Sequence, residues 1–257
     1  MTANTTTRRL GQLRWLGAAA AVLAVSACTN AQQGPSQAAS TAAGLPSEHP
    51  SAAPSLSSAA LDVSADATRR VAGVPLGASD NPGYTVEMPA AGWEHDASFT
   101  LKESGPSVGF SVWDVGRVPS DPCHPLSTMS DPGPTVEDLA QALVAQASRN
   151  ASTPVPVTLD GHQGLYLELS VPADAVVTGD SDFEGCDVQG NGHRDFVSWR
   201  GDGGGTRYQQ AAGQIDQLWI LDVDGHRLLV DASWSPGATQ AARDELAAIV
   251  ASLEFDD

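Results

Sequence analysis

The feature that most constrains the fold is the C-terminal stretch over residues 217–255. Two β-rich runs meet there at Asp224-Gly225, a pair typical of a two-residue type I′ hairpin turn, because both turn positions need a positive φ. With this turn Trp219 lies opposite Val230, and one face of the hairpin is wholly apolar. Such a surface has to be covered by other parts of the chain.

The opposite face of this hairpin is only half apolar. Asp222 lies opposite Arg227 on that face, which predicts a cross-strand ion pair. A helix is predicted to follow the turn over residues 235–237, and its buried stripe is predicted to consist of Ala242, Leu246, Ile249, Val250 and Leu253. Because both faces of the sheet carry apolar residues, we expect layers above and below it.

The rest of the folded part alternates between strand and helix patterns. Thr135 and Asp138 have the spacing of an N-cap and its partner, which predicts a helix over residues 136–149. The pair Asp160-Gly161 predicts a second tight hairpin. Strands are predicted over residues 84–88, 98–102, 108–115, 155–159, 165–171, 196–199 and 207–212. This order predicts an α+β fold, in which a largely antiparallel β-sheet is sandwiched by helices.

Residues 1–27 have the pattern of an export signal. Arg8, Arg9 and Arg14 lie before an apolar run over residues 15–25, and this run is too short to span a bilayer. We therefore predict a signal peptide and not a stable transmembrane helix.

The export signal ends in Val25-Ser26-Ala27-Cys28, which resembles the bacterial lipobox. In proteins with that motif the cysteine receives a diacylglyceryl group and becomes the new N-terminus. The resemblance implies a lipoprotein in which acyl chains on Cys28 anchor the mature chain at the outer face of the cell membrane. The alternative is an ordinary secretory signal that happens to be followed by a cysteine.

Residues 28–78 consist mainly of alanine, serine, proline, glutamine and glycine, with few large apolar side chains. Such a segment cannot bury enough apolar surface to offset the entropy lost on ordering, so we predict a disordered tether there. Residues 79–257 are then predicted to form a single α+β domain.

The charge of the chain excludes two classes of partner. The net charge is −18, and removal of residues 1–27 takes away three arginines and no acid, which leaves −21. A surface this acidic repels nucleic acid and anionic lipid headgroups, so we expect neither as a partner.

Cys123 and Cys186 are the cysteines that remain beside Cys28. An even pair in an exported domain predicts a disulfide. The alternative is a metal site that uses Cys123, His124 and Cys186, with His193 as a further candidate ligand. Directly adjacent ligands such as Cys123 and His124 suit one ion poorly.

Other residue groups have a functional and a structural interpretation. Tryptophans could line a groove for a glycan or an apolar ligand, or belong to the core: Trp93, Trp113, Trp199, Trp219 and Trp234. The acidic loop with Asp180, Asp182, Glu184 and Asp187 lacks the spacing of an EF-hand, so we predict a solvated loop. No familiar catalytic, metal or nucleotide motif occurs in the sequence, and we predict no catalytic residue, metal or cofactor.

Several of these features together resemble the Mog1/PsbP-like fold, and in particular the LpqN-type lipoproteins of mycobacteria and related bacteria. They are the strand that begins at Tyr84, the Gly92-Trp93 pair, the mid-chain helix, the Asp160-Gly161 hairpin, and the final hairpin and helix that end at Phe255. The resemblance implies a non-catalytic factor that binds or positions an unknown protein of the cell envelope. The alternatives are a carrier or sensor for a small apolar or glycan ligand, and an enzyme.

Overall fold

The computed structural model describes residue 53 and residues 68–179, 181–190 and 192–256. The export signal, Cys28 and most of the predicted tether lie outside the described residues. The helices are α1 (Pro125–Thr128), α2 (Val136–Val144) and α3 (Gln240–Ala251). The strands are β1 (Thr68–Gly73), β2 (Tyr84–Pro89), β3 (Trp93–Asp96), β4 (Phe99–Lys102), β5 (Val108–Trp113), β6 (Val115–Pro119), β7 (Met129–Ser130), β8 (Asn150–Ala151), β9 (Val155–Leu159), β10 (His162–Ser170), β11 (Val177–Thr178), β12 (Asp182–Phe183), β13 (Val197–Gly201), β14 (Thr206–Tyr208), β15 (Ile215–Val223), β16 (His226–Trp234) and β17 (Glu254–Phe255). Within the described part, no helix is long and apolar enough to cross a membrane.

An antiparallel sheet with the strand order β3-β4-β5-β16-β15-β10-β8 forms the centre of the domain. The predicted C-terminal hairpin lies in its middle. Asp224 and Gly225 have φ angles of 51° and 87°, and Trp219 lies opposite Val230. Both the turn and the register of this hairpin are therefore confirmed.

The second predicted hairpin joins β9 to β10. Asp160 and Gly161 have φ angles of 49° and 79°, so the turn again has the two positive φ angles of type I′. Near the start of β10, a Cβ atom at Gly164 would lie 1.9 Å from a backbone carbonyl oxygen of β15. Only glycine allows the two strands to approach this closely.

One face of the central sheet carries the first core cluster, which includes Tyr166, Trp219 and Val230. Helix α3 and the three-stranded sheet β1-β2-β17 cover this face. The predicted stripe of α3 is confirmed, because its members are buried in this cluster: Ala242, Leu246, Ile249, Val250 and, just past the helix, Leu253.

The other face carries the second core cluster, which includes Leu167, Leu218 and Leu229. It is covered by α2 and by the four-stranded sheet β14-β13-β6-β7. The predicted N-cap of α2 is confirmed as a capping box, since the Thr135 hydroxyl accepts from the Asp138 amide and the Asp138 carboxylate accepts from the Thr135 amide, at 3.1 Å each.

The prediction that helices sandwich the sheet is wrong, because the domain is mostly antiparallel β-structure. On one face β2 contributes Tyr84 and Met88 to the cover, and on the other β6 and β13 contribute Val118 and Trp199. The helices are too short to cover the sheet by themselves. The 12-residue helix α3 is about 18 Å long, whereas a nine-residue strand of the sheet such as β15 spans about 30 Å.

The boundary predicted between the tether and the domain at residue 79 is also corrected. Strand β1 lies inside the predicted tether and pairs antiparallel with β2, and Ala53 packs against the first core cluster. Because β1 is an edge strand, it needs little apolar surface of its own. Val71 packs against the core, while Arg69 and Arg70 are exposed. A composition argument therefore misses it.

Two local predictions fail because other groups compete. The helix predicted over residues 136–149 ends at Val144, and the chain then turns into the polar interior described below. Asp222 and Arg227 lie opposite each other as predicted, but the ion pair does not form. Asp222 caps its own turn by accepting from the Gly225 amide at 2.8 Å, and Arg227 donates to backbone carbonyl groups of other segments.

Candidate functional site

The second face of the central sheet changes from apolar to charged along β15 and β16. Leu218 and Leu229 belong to the apolar part, but two positions further along the same face Asp216 and Asp231 are 0% and 1% exposed. Two arginines reach them from outside the sheet: Arg207 on β14, and Arg149 in the segment after α2. We call Arg149, Arg207, Asp216 and Asp231 the charge cluster.

Asp216 is the centre of the charge cluster, and both of its carboxylate oxygens are used. It accepts hydrogen bonds from four side chains: Arg149, Arg207 at 2.9 Å, Gln209 at 3.0 Å and Gln214 at 3.2 Å. Burial by itself would raise the pKa of Asp216, but the two guanidinium groups and the amide donors outweigh it and hold the pKa below its ordinary value. This carboxylate is therefore a structural anion.

Asp231 differs from Asp216 because one of its oxygens is left over. Its Oδ2 accepts from Arg207 Nε at 2.6 Å, but its Oδ1 is buried and has no hydrogen-bond partner among the described residues. Burial raises the pKa of Asp231 to about 6, against the opposing effect of the Arg207 guanidinium. Asp231 is thus the carboxylate of the charge cluster with spare hydrogen-bonding capacity, while Arg149 Nε is a buried donor without a partner among the described residues.

A second layer of polar groups holds the arginines in place. Arg149 Nη1 donates to Ser198 Oγ at 2.6 Å, and the Gln209 amide donates to the same hydroxyl at 2.7 Å. Gln146, just past the end of α2, donates to the Ser198 carbonyl at 2.7 Å. This explains why α2 stops early: the residues that follow it serve the buried polar network instead of extending the helix.

A cleft of about 260 Å³ lies against Asp231, between β14 on one side and β4, β5 and β16 on the other. Small residues form its floor, because Gly109 lies opposite Ser233, and Ser111 lies opposite Asp231, in neighbouring strands. Its lining consists of Phe99, Leu101, Ser107, Gly109, Phe110, Ser111, Thr206, Arg207, Tyr208, Gln210, Asp231 and Ser233.

Apolar side chains stand at the rim of this cleft. Leu101 is 46% exposed and Tyr208 is 40% exposed. Strand β14 has only three residues and is the last strand of its sheet, so the cleft lies beside an unpaired strand edge. The arrangement therefore combines a free strand edge, a floor of small residues and a partly satisfied carboxylate.

The predicted disulfide is confirmed, since Cys123 and Cys186 are bonded to each other. Their sulfur atoms are consumed by this bond, so the alternative metal site built on them is wrong. Cys186 belongs to a third apolar cluster with Phe183 and Phe196, apart from the lining of the cleft. Of the two histidines in that alternative, His124 donates from Nδ1 to the Asp187 carboxylate at 3.1 Å, and His193 lies beside Asp182.

The tryptophans lie mainly in the core. Trp93, Trp113, Trp199 and Trp219 are buried, and Trp234 is half-buried and packs against the first core cluster. None of them lines the cleft. Trp93 borders a different cavity of about 410 Å³ together with Arg69, Glu94 and His95, but is itself only 1% exposed, so the core interpretation describes it better than a ligand groove does.

Sequence reasoning missed the charge cluster entirely. The available pattern was an aspartate at an inward position of a strand, as Asp231 lies two residues after Leu229 on the same face. The matching arginines come from segments far away in the chain, and their positions follow from no local pattern.

The comparisons with known proteins add little to this description. No family model and no curated protein matches the chain. The solution structure of cyanobacterial PsbP (CyanoP) from Synechocystis is similar with a TM-score of 0.33 and 13% sequence identity, over 76% of this chain and 96% of that one. The neighbour is a PsbP protein, but a TM-score this low carries no argument. The LpqN-type resemblance stays a prediction.

Proposed function

We propose that this protein is a non-catalytic lipoprotein, anchored through Cys28 at the outer face of the cell membrane, which binds an extended segment of another envelope protein. The observation that carries the proposal is the free edge of β14 beside the cleft. The export signal and the lipobox resemblance support the location.

The edge of β14 offers backbone groups to a partner. Strand β14 pairs with β13 on one side, and no described strand pairs with its other side. An edge strand of this kind presents N–H and C=O groups that an extended peptide can pair with, as in β-augmentation. The small side chains of Ser111 and Ser233 leave room for the peptide beside the Leu101 side chain, which lies over Gly109.

The size and charge of the site favour a polypeptide segment over a small carrier ligand. A cleft of about 260 Å³ is smaller than the roughly 300–1,000 Å³ of pockets for small ligands. The protein carries a net charge of −18, which disfavours an acidic segment. Exposed Leu101 and Tyr208 offer apolar contacts at the rim. We therefore expect an extended, non-acidic partner segment.

Site-specific photo-crosslinking in living cells tests the proposal. A photoreactive amino acid at Leu101 and, separately, at Tyr208 is expected to capture neighbouring peptides of one and the same envelope protein. A probe at exposed Val188, which does not line the cleft, serves as the control.

Filling the cleft provides the matched comparison. Ser233→Phe places a ring over the floor and is expected to abolish the crosslinks, whereas Ser104→Phe in an exposed loop is expected to preserve them. Crosslinks that persist in Ser233→Phe would contradict the proposal. So would capture of residues 28–67 of the same chain, because the cleft would then hold the protein's own segment.

The anchor has its own test. Cys28→Ser is expected to leave an unprocessed precursor or to release the protein from the membrane fraction, because the thiol that carries the lipid is missing. A processed Cys28→Ser protein that stays membrane-bound would refute the lipobox interpretation. Membrane fractionation followed by mass measurement of the N-terminal peptide distinguishes these outcomes.

A further inference from the structure

The spare oxygen of Asp231 indicates which chemical group enters the cleft. Building on the proposed function, we infer that the partner segment inserts a neutral aromatic side chain with a single hydrogen-bond donor, a phenol or an indole, and that this donor binds Asp231 Oδ1. Nothing in the backbone pairing at β14 requires such a group, so the inference adds a side-chain specificity to the proposed binding mode.

The walls of the cleft suit an aromatic ring. Phe99, Leu101 and Tyr208 supply apolar surface, and the Leu101 side chain also lies over Gly109 in the floor. A volume of about 260 Å³ is several times the roughly 30 Å³ share of one water molecule in the liquid. The cleft therefore has room for one ring, and aromatic pairs add specific edge and stacking contacts.

The hydrogen-bond inventory shows that the cleft offers an acceptor. All three nitrogen atoms of the Arg207 guanidinium already donate hydrogen bonds: Nε to Asp231, Nη1 to the Tyr208 carbonyl at 2.6 Å, and Nη2 to Asp216. Ser111 Oγ already accepts from Trp113 Nε1 at 2.8 Å. Asp231 Oδ1, in contrast, is buried and has no donor among the described residues. A ligand that supplies a donor removes this unsatisfied group, and one that lacks a donor leaves it.

The charge balance of the site excludes charged side chains. The charge cluster contains two guanidinium groups and two carboxylates, so it is formally neutral when all four are ionised. An ammonium group near Asp231 would also meet Arg207, and a carboxylate would meet Asp231 itself. Neither charge gains enough from a neutral cluster to offset the loss of its water. The occupant is therefore neutral.

Four small probes of similar shape test this inference on the mature chain, residues 28–257, with Cys28→Ser in place of the lipidated cysteine. Phenol has a neutral donor, anisole has the same ring without the donor, and benzylammonium and benzoate carry opposite charges. Binding is followed by the backbone amide shifts of Ser111, Asp231 and Ser233. We expect phenol to bind at least about tenfold more tightly than anisole, and both ions to bind more weakly than phenol.

Two variants show whether the donor preference comes from Asp231. In Asp231→Asn, the amide oxygen turns to Arg207 and an N–H faces the cleft, so the advantage of phenol over anisole is expected to disappear. Leu101→Ala removes apolar side-chain volume at the exposed rim of the cleft and leaves Asp231 unchanged. This substitution is expected to weaken the binding of phenol and of anisole equally and to leave the ratio of their affinities unchanged.

The pH dependence of the unmodified site gives a readout that needs no variant. The charged groups facing Asp231 are Arg207 from β14, Asp216 from β15 and Arg149 from the segment after α2. Because burial raises the pKa of Asp231 to about 6, the carboxyl gains a proton and becomes a donor in acid. The ratio of phenol to anisole affinity is expected to fall between about pH 7.5 and about pH 5.

Equal binding of phenol and anisole to the unmodified chain would overturn the inference. Shift changes outside the cleft, or tighter binding of benzylammonium than of phenol, would do the same. The probe experiment uses no partner, so its result is separate from the crosslinking result. A preference for phenol without partner crosslinks would contradict the proposed function alone. Crosslinks without a preference for phenol would contradict only this inference.

Discussion

The replacement of Asp216 by asparagine is the strongest single perturbation that the buried charge cluster allows. Asp216 is the carboxylate that Arg149 binds, whereas Arg207 also binds Asp231. Removal of the Asp216 charge therefore leaves Arg149 as a buried cation without a carboxylate in contact. The side chain of Arg149 in this ion pair is 0% exposed, so solvent screening does not relieve the cost.

The size of the effect follows from this burial. Removing one partner of a buried ion pair costs about 3–5 kcal/mol in the free energy of unfolding, out of a total of about 5–15 kcal/mol for an ordinary domain. For a domain of this size the melting temperature should fall by roughly 6–20 °C. The protein with Asp216→Asn is therefore expected to fold, but with much reduced stability.

Urea denaturation near neutral pH measures the change, and Glu254→Gln provides a matched control. That substitution makes the same carboxylate-to-amide change in the ion pair of Glu254 with Arg70, whose side chains are 58% and 54% exposed. Solvent screens such a pair, so the control should lose less than about 1 kcal/mol. If both variants lost less than about 1 kcal/mol, the charge cluster would not be buried as described, and the reasoning would be refuted.

Three further predictions concern stability. Because burial raises the pKa of Asp231 to about 6 from 3.8, the folded state holds this proton more tightly than the unfolded state. The contribution of Asp231 to the free energy of unfolding is then complete below about pH 4 and is lost as the pH rises through about 6. The urea midpoints of the unmodified protein should therefore fall over this pH range relative to those of Asp231→Asn. Parallel plots of midpoint against pH for the two proteins would contradict this. Leu246→Ala should cost about 2–5 kcal/mol, while exposed Asp244→Ala should cost almost nothing, and equal midpoints would mean that α3 is not docked. Cys186→Ser should lower the free energy of unfolding by about 4 kcal/mol, because the bond closes a loop with a sequence separation of 63; an unchanged melting temperature would contradict the stabilising role of the bond.

The elements that the sequence predicts well are those set by neighbours along the chain. The Asp224-Gly225 turn demands two positive φ angles, and the register of β15 and β16 follows from it because each strand alternates faces with a period of two. The N-cap at Thr135 and the apolar stripe of α3 rest on the same kind of short-range rule. The disulfide follows from the number of cysteines and the predicted export signal, without any geometry.

The candidate site shows where such reasoning stops. Asp216 and Asp231 lie two residues from the apolar Leu218 and Leu229 on the same face, so each alone is a buried charge without a visible partner. Their partners Arg149 and Arg207 lie 67 and 24 residues away in the chain, respectively. Ion pairs between distant segments depend on which surfaces meet, and periodicity within a strand carries no information about that.

The cover of the sheet is the clearest division between the two levels. Apolar residues on both faces required cover, and this much followed from the sequence alone. Whether helices or strands supply it depends on the length of each element and on the room that its neighbours leave, which is settled only when all of them pack together. In this domain short helices leave space for β2, β6 and β13 in the two cores. The cleft over Asp231 lies where β14, the last strand of its sheet, meets β4, β5 and β16, and only the packing of these distant segments brings them together.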